Sequence, residues 1–387
     1  MLGWGLAEAV VAAGLLVFWA AHAVDAVRGA PSVRALPWVA PLDFATAPPV
    51  SVVVAARNEA EHVARGVGSL LRLAYPRVEV VVVDDRSTDG TGAILDRMAV
   101  ADPRLRVEHV SRLSQGWLGK NQALAIGAGA ASGAWLLFVD ADVVLDPSAL
   151  GRALGYAESS SLDHLTVLPT VIAHGLALRA FVAYLAFLLA GTSPPWRVRD
   201  SHRHVSIGVG AFNLVRREHY LRSGGHVAIR ERPDDDMRLA QLLKRAGGRS
   251  DVVMSRGLVV VEWQPNLASA LGALEKTAFA TMQYRIDVLV AGLVALAGIG
   301  LLPFLGIFLV GGWPRWAFAA AAAISLVLYA RAGAAITEFP PAAALLLPLV
   351  HVAWAVAQAR AGLLVVRRGG ILWRDTFYPL QMLRRKA

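Results

Sequence analysis

The stretch "GAWLLFVDADVVLDP", Gly133 to Pro147, runs an apolar segment straight into two carboxylates, Asp140 and Asp142, with one residue between them. A short apolar run bounded by turn residues reads as a strand buried on both faces, and the charges mark where it leaves the core. The same pattern recurs upstream. "VSVVVAARNEAEHV" carries a β-branched run, Val50 to Val54, that ends in Ala56-Arg57-Asn58-Glu59. "VEVVVVDDRSTDGT" carries another, Val78 to Val83, that ends in Asp84-Asp85. "RLRVEHV", Arg104 to Val110, adds a strand. Helical stretches lie between, from after Glu59 to about Leu73, Thr91 to Val100 and Asn121 to Ala131. Such alternation predicts an α/β fold with a mostly parallel sheet flanked by helices. In open α/β sheets ligands bind beyond the carboxyl ends of the strands, so the three polar strand ends are expected to converge on one crevice.

Past a strand end the strict alternation of side chains lapses, and both Asp140 and Asp142 can face one cavity. Hard oxygen ligands of this kind suit Mg²⁺ or Mn²⁺, which keep waters and share substrate phosphates. A capped turn is the other reading, since Asp146-Pro147 opens the next helix. Asp85 is placed to accept hydrogen bonds from a nucleobase imide, while Ser87, Thr88 or Asp89 can cap the helix that follows. In "GWLGKNQAL" the ammonium of Lys120 can reach a base or a phosphate, or can be a solvated loop lysine in a chain with only four lysines. A Rossmann dehydrogenase needs a glycine-rich turn after its first strand. None occurs there, and "GVGAFN" at Gly208 lacks the third glycine.

Taken in order, "VVVAARNEAEHV", "VVVDDRSTDGT", "GWLGKNQALAIGA", "LLFVDADV" and "RPDDDMRLAQLLKRAG" resemble the pattern of family 2 glycosyltransferases with the GT-A (Rossmann-like) fold, over about Val50 to Val261. The resemblance implies a nucleotide-diphospho-sugar donor and a divalent metal, Mg²⁺ or Mn²⁺. It implies donor-binding roles for Ala56, Arg57, Glu59, Asp84, Asp85, Lys120 and Asp140, with Asp85 on the base, Asp140 near ribose and phosphate, and Asp142 with Asp140 on the metal. It also implies that the acidic pair Asp235-Asp236 carries the catalytic base, with Asp236 the choice of the two. One base without a carboxylate nucleophile suits direct displacement with inversion. "GVGAFNLVRREHYLRSGGH" resembles the acceptor side, where Gly210 would admit the acceptor and His226 would contact it.

Family members that extend polysaccharides carry Q-x-x-R-W before their membrane helices. Here "TAFATMQYRIDV" sets Gln283 and Arg285 too close, and no Trp follows. That segment and "GGILWRDTFYPL" resemble membrane-anchored members that glycosylate lipids, of the hopanoid-associated and carotenoid types. The apolar "LALRAFVAYLAFLLAGTSPPW", Leu176 to Trp196, either lies in the membrane interface to admit a lipid or is a buried helix of the domain.

Composition bears on location. Apolar residues make up 56% of the 387-residue chain, mean hydropathy is +0.50, and the net charge is +9 with arginine dominant. A basic surface can meet lipid headgroups or nucleotide phosphates, and no aromatic–basic interleaving points to nucleic acid. The absence of cysteine excludes thiolate catalysis, disulfides and Cys-ligated zinc. Leu2 to Val24 is long enough to cross a hydrocarbon core of about 30 Å. Arg28 and Arg34 follow it, so the N-terminus is expected outside and the next segment in the cytoplasm. Val288–Trp313, Trp316–Ile336 and Pro340–Val366 are three further apolar segments. The expected organisation is a transmembrane helix at 1–27, a cytoplasmic GT-A domain at 48–265, and an interfacial connector at 266–287. Transmembrane segments follow at 288–366, then a basic cytoplasmic tail at 367–387. Three crossings would leave that tail outside, so either one segment is re-entrant or interfacial, or Gly298, Gly300 and Pro303 break the first into a hairpin. The function expected is sugar transfer to a lipid or lipid-linked acceptor at the cytoplasmic membrane, with a polysaccharide synthase or a non-catalytic nucleotide-binding membrane protein as alternatives.

Overall fold

A computed structural model describes residues 2–282, 284–373 and 376–384. Gln283, Arg374, Arg385 and Lys386, which figure in the sequence reading, lie outside the described residues. The chain forms two compact units. One holds Ser32–Ile172 and Ser193–Glu262; the other holds the segment up to Pro31, Ala173–Thr192, and the chain from Trp263 onward.

The first unit is built on a seven-stranded sheet of β1 (Val50–Ala56), β2 (Val78–Asp85), β3 (Leu105–Val110), β4 (Trp135–Asp140), β6 (His164–Leu168), β8 (Asn213–Arg216) and β9 (Ser250–Met254). A small sheet combines β5 (Val144–Leu145), β7 (Thr170–Val171) and β10 (Val259–Val261). The order of the large sheet is β3-β2-β1-β4-β8-β6-β9. All its pairings are parallel except those of β8, which runs antiparallel to both β4 and β6. Burial on both faces explains the near-continuous Val/Leu runs. Val52, Val54, Val80, Val82, Leu137 and Val139 pack into one layer, while Val53, Leu136 and Phe138 pack with Leu124, Leu239 and Leu243 on the other.

Register decides where the strand ends fall. Ala55 of β1 lies opposite Asp140 of β4, and Ala56 lies opposite Asp84 of β2, so three polar strand ends stand side by side. The helix Val63–Leu71 approaches the turn after β4 at Gly66, where a Cβ would stand 2.0 Å from the Ala141 carbonyl oxygen. Only a residue without a side chain lets the helix brace the Asp140-Ala141-Asp142 turn this closely.

The second unit is mostly helical, with one antiparallel strand pair, Gly370–Trp373 and Thr376–Pro379. Among the described residues, five helices are long and apolar enough to cross a membrane: Gly5–Ser32, Leu176–Arg197, Ile286–Leu309, Gly312–Ile336 and Pro341–Arg368. The stretch beginning at Leu176, read above as an interfacial or domain helix, therefore belongs in part with the apolar helices. Within this unit Tyr329 Oη donates to the Ala180 carbonyl at 2.7 Å, and Tyr184 Oη meets His351 Nδ1 at 2.7 Å. The Trp19 indole donates to the Ile299 carbonyl at 3.1 Å. Polar groups that leave water need such partners. Ile286–Leu309 is helical throughout, with a π-helical segment at Leu296–Leu301 in place of a break. Gly298, Gly300 and Pro303 thus do not make a hairpin.

Connectivity restricts Leu176–Thr192 further. Both of its neighbours in sequence return to the sheet unit, since β6 before it pairs with β8 and β9 after it. A single complete crossing would put two halves of one sheet on opposite faces of a bilayer. Any membrane contact of this helix is therefore expected from one face. Because the chain lacks cysteine, single substitutions Ala101→Cys and Ser201→Cys report sidedness cleanly. In sealed vesicles an impermeant maleimide should label both or neither. Labelling of one alone would make this helix a full crossing.

Candidate active site

The first two strand ends are laced to each other. Asn58 stands at φ +51° and its side-chain oxygen accepts from the Thr88 N–H at 2.8 Å. In return the N–H groups of Asn58, Glu59 and Ala60 donate to Ser87 Oγ (3.0 Å), Thr91 Oγ1 (2.8 Å) and Asp89 Oδ2 (3.0 Å). Ser87 and Asp89 thus tie one strand end to the next, beyond the capping role read from sequence. The helix they precede begins after Gly90, at φ +92°, with Asp89 also accepting from the Thr91 N–H. Asn58, Ser87, Asp89 and Thr91 were not singled out as site residues, and the signal available was their density of short polar side chains beside a strand end.

Asp84 and Asp85 are successive strand residues with different partners. Asp85 is buried, forms a two-point pair with Arg86 at 2.7 and 2.9 Å, and lies 3.8 Å from Arg57. Asp84 instead accepts from the Ser87 N–H and lies 3.1 Å from His109 Nδ1, whose other nitrogen meets Asp96. The two carboxylates hold the His109 pKa above its ordinary value. Asp84 thus braces the strand end beside Asp85, and its expected donor-binding role stays a proposal.

Past β4, Asp142 has its pKa raised to about 6 by burial and by the negative charges of Asp140 and Glu59. Carboxylates that oppose each other's ionisation are suited to a cation that neutralises both. Among the described residues no cluster of three or more His, Cys, Asp and Glu is disposed to hold a metal. Two carboxylates fit Mg²⁺ or Mn²⁺ whose remaining positions are taken by substrate phosphates and water.

Lys120 links this turn to the acidic run. Its Nζ lies 2.9 Å from Asp140 Oδ1 and 3.3 Å from Asp235 Oδ2. Burial disfavours the ammonium, but Asp140, Asp235 and Asp236 outweigh that and hold its pKa above the ordinary value. Lys120 is thus no solvated loop lysine. It stands near the start of the helix Gly119–Ala130, and next to it Asn121 donates to the carbonyls of Ile229 and Arg232 at 2.7 and 2.9 Å, fixing the segment that leads to Asp235. Lys244, at the far end of the helix Asp235–Arg245, donates to the carbonyls of Val198 and Val205, both at 2.6 Å.

Asp235 is buried against Lys120, and its pKa is raised to about 7, chiefly by burial. Asp236 is less buried, and both of its oxygens are held, Oδ2 by the Gly210 N–H at 2.9 Å and Oδ1 by its own neighbour's N–H, Met237, at 2.7 Å. Burial still raises its pKa. Gly210 also accepts from the Asp140 N–H through its carbonyl at 2.8 Å, and a Cβ on it would stand 2.1 Å from Asp140 Oδ2. The glycine thus sits between two carboxylates. His226 is buried, with Phe138 edge-on at 4.8 Å and its Nδ1 and N–H both on the Tyr220 hydroxyl. Both residues line the cavity beside Lys120 and Asp235, and their expected acceptor roles stay proposals.

Comparison with known proteins bears on the class of this unit and its fold. Residues 51–220 match Glycosyl transferase family 2, and the sheet unit carries a glycosyltransferase family 2 domain. Similar to it is "Succinoglycan biosynthesis protein ExoO" of Rhizobium meliloti, 38% identical over 138 residues, covering 35% of this chain and 37% of that protein. "Beta-monoglucosyldiacylglycerol synthase" of Synechocystis is 35% identical over 163 residues, covering 38% and 34%. The chain thus spans about a third of the length of these curated relatives. Among solved structures, mannosyltransferase PcManGT from Pyrobaculum calidifontis, in complex with GDP-Man and Mn²⁺, aligns with a TM-score of 0.55 at 20% identity, over 92% of this chain and 98% of that one. The fold is GT-A-like.

Two outcomes follow from the site. Gly210→Ala should displace the Asp140 carboxylate by about an ångström and lower sugar transfer by about 10²-fold, measured as initial rate, with an unchanged fold by circular dichroism. His226 has its pKa pushed down to about 3 by burial and the Lys120 charge, from an ordinary 6.5. The unfolded chain takes up this proton below about pH 6.5 and the folded chain does not, so the stability is whole above that pH and is lost as pH falls toward 3. His226→Gln should therefore show a shallower loss of Tm between about pH 6.5 and 4 than the wild type. Parallel curves would show that His226 titrates normally.

Proposed function

We propose that the chain transfers a sugar from a nucleotide-diphospho-sugar to a hydroxyl of a lipid or lipid-linked acceptor at the membrane, with inversion and with Mg²⁺ or Mn²⁺. The observation that carries this reading is the position of Gly210, whose carbonyl and N–H engage Asp140 and Asp236. It brings the carboxylate of the donor side within one residue of a candidate base. Asp236, oriented by two N–H donors and made more basic by burial, takes the proton of the acceptor hydroxyl. The acceptor oxygen bonds to the anomeric carbon as the bond to the diphosphate breaks, inverting that carbon. Lys120 offers positive charge to the departing diphosphate, and Asp85 holds the base of the nucleotide. A metal on Asp140 and Asp142 supplies further neutralisation of the diphosphate when bound.

A lipid acceptor is supported by the apolar helical unit, by the departure from Q-x-x-R-W, and by a relative named for making a glucosyldiacylglycerol. That a structure alike in fold holds GDP-Man and Mn²⁺ supports the donor class and the metal. Arg28 and Arg34 after the first helix favour a cytoplasmic sheet unit.

The test is mass spectrometry of lipids made by membranes containing the protein and given UDP-glucose, UDP-N-acetylglucosamine or GDP-mannose. A new glycolipid is expected, its formation blocked by EDTA and restored by Mn²⁺ or Mg²⁺. Asp236→Asn should lower the rate by roughly 10²–10⁴-fold while nucleotide binding persists. A long polymer in place of a glycolipid would favour the synthase reading, and full activity of Asp236→Asn would sink the single-displacement mechanism.

A further inference from the structure

Four carboxylates, Asp140, Asp142, Asp235 and Asp236, gather around one ammonium, that of Lys120. Arg57 and Arg86, nearby, pair with Asp85. Lys120 Nζ occupies Asp140 Oδ1 at 2.9 Å, one of the oxygens on which a divalent ion would depend. The backbone around it is fixed. Asp140 is held by Gly210, Asp236 by Gly210 and Met237, and the segment before Asp235 by the fully buried Asn121. The lysine stem, with four rotatable carbons and a point charge, is the part of this arrangement free to swing.

We propose that Lys120 is a resident counter-ion that withholds Asp140 from divalent metal until a nucleotide diphosphate draws the ammonium away, so that metal and donor bind as a coupled pair. Without nucleotide, a metal arriving at Asp140 must displace an ammonium held by two carboxylates. With nucleotide, Lys120 moves to the diphosphate, Asp140 is released, and the diphosphate adds oxygens to the metal. By linkage the metal must then raise nucleotide affinity by the same factor as nucleotide raises metal affinity. This rests on the donor-site reading given above, but its measurement requires no turnover.

Mn²⁺ binding to the purified full-length chain is measured by electron paramagnetic resonance, with and without UDP or GDP. In the wild type the better nucleotide should tighten Mn²⁺ by at least about tenfold, within the usual range of coupling. Lys120→Met should bind Mn²⁺ about tenfold tighter than the wild type without nucleotide, and the gain from nucleotide should shrink. Added Mn²⁺ should also raise the Tm of this variant more than that of the wild type, since it relieves carboxylates left unpaired. Lys120→Arg, which keeps the charge, should retain weak nucleotide-free binding. A folded Lys120→Met that binds Mn²⁺ no more tightly than the wild type overturns the proposal. If the variant does not fold, wild-type Mn²⁺ affinity indifferent to both nucleotides overturns it alone. Coupling that persists while no glycolipid forms would sink the acceptor reading and leave this one standing.

Discussion

One hydrogen bond organises the site. The N–H of Asp140, at the end of β4, donates to the carbonyl of Gly210 on the approach to β8. Asp140 closes the parallel half of the sheet, and β8 is the strand that reverses it, so this bond ties the two halves at the point where their charges meet. Everything else follows from keeping the approach that short. Gly210 can have no side chain, Gly66 can have none behind Ala141, and both carboxyl-bearing segments must be fixed by main-chain donors. A carboxylate held by N–H groups keeps its direction even where burial makes its charge costly.

Much of this was legible in the sequence because the parallel strands are buried on both faces and carry an unbroken apolar signal. Val50–Ala56, Val78–Asp85 and Trp135–Asp140 fall where the apolar runs put them, each extended to or through the polar residues at its end. What went unread has a common cause. β6 is "HLTVL", β8 is "NLVR" and β9 is "SDVVM", all four or five residues long and carrying polar side chains within the strand. His164, Thr166, Asn213 and Ser250 hydrogen-bond to one another in that part of the core, so the buried surface there is polar and the periodicity is silent.

The roles of single residues were legible in proportion to how little they depend on distant partners. The Asp140-Ala141-Asp142 turn follows from local pattern. His226 did not, since its neighbours Phe138 and Tyr220 come from a strand and a helix that only the fold brings together. The scarcity of lysine, which counted against a role for Lys120, has another explanation in the structure. Lys120 and Lys244 both turn inward, one to carboxylates and the other to two carbonyls. In both places a compact cation on a flexible stem meets its acceptors inside the fold.

The insertion of Leu176–Thr192 between β7 and β8 has a consequence for biosynthesis. His164 of β6 pairs with Val215 of β8 and with Ser250 of β9, so the sheet cannot close until the ribosome has made the chain well past the apolar helix. During that interval Leu176–Thr192 is a hydrophobic segment without its partners Gly312–Ile336 and Leu347–Arg368, which come last. Aqueous exposure of such a segment invites aggregation, whereas a bilayer would offer it an apolar refuge. On the membrane reading proposed above, the N-terminal helix would act as a tether that keeps the nascent domain beside lipid in which its inserted helix can wait.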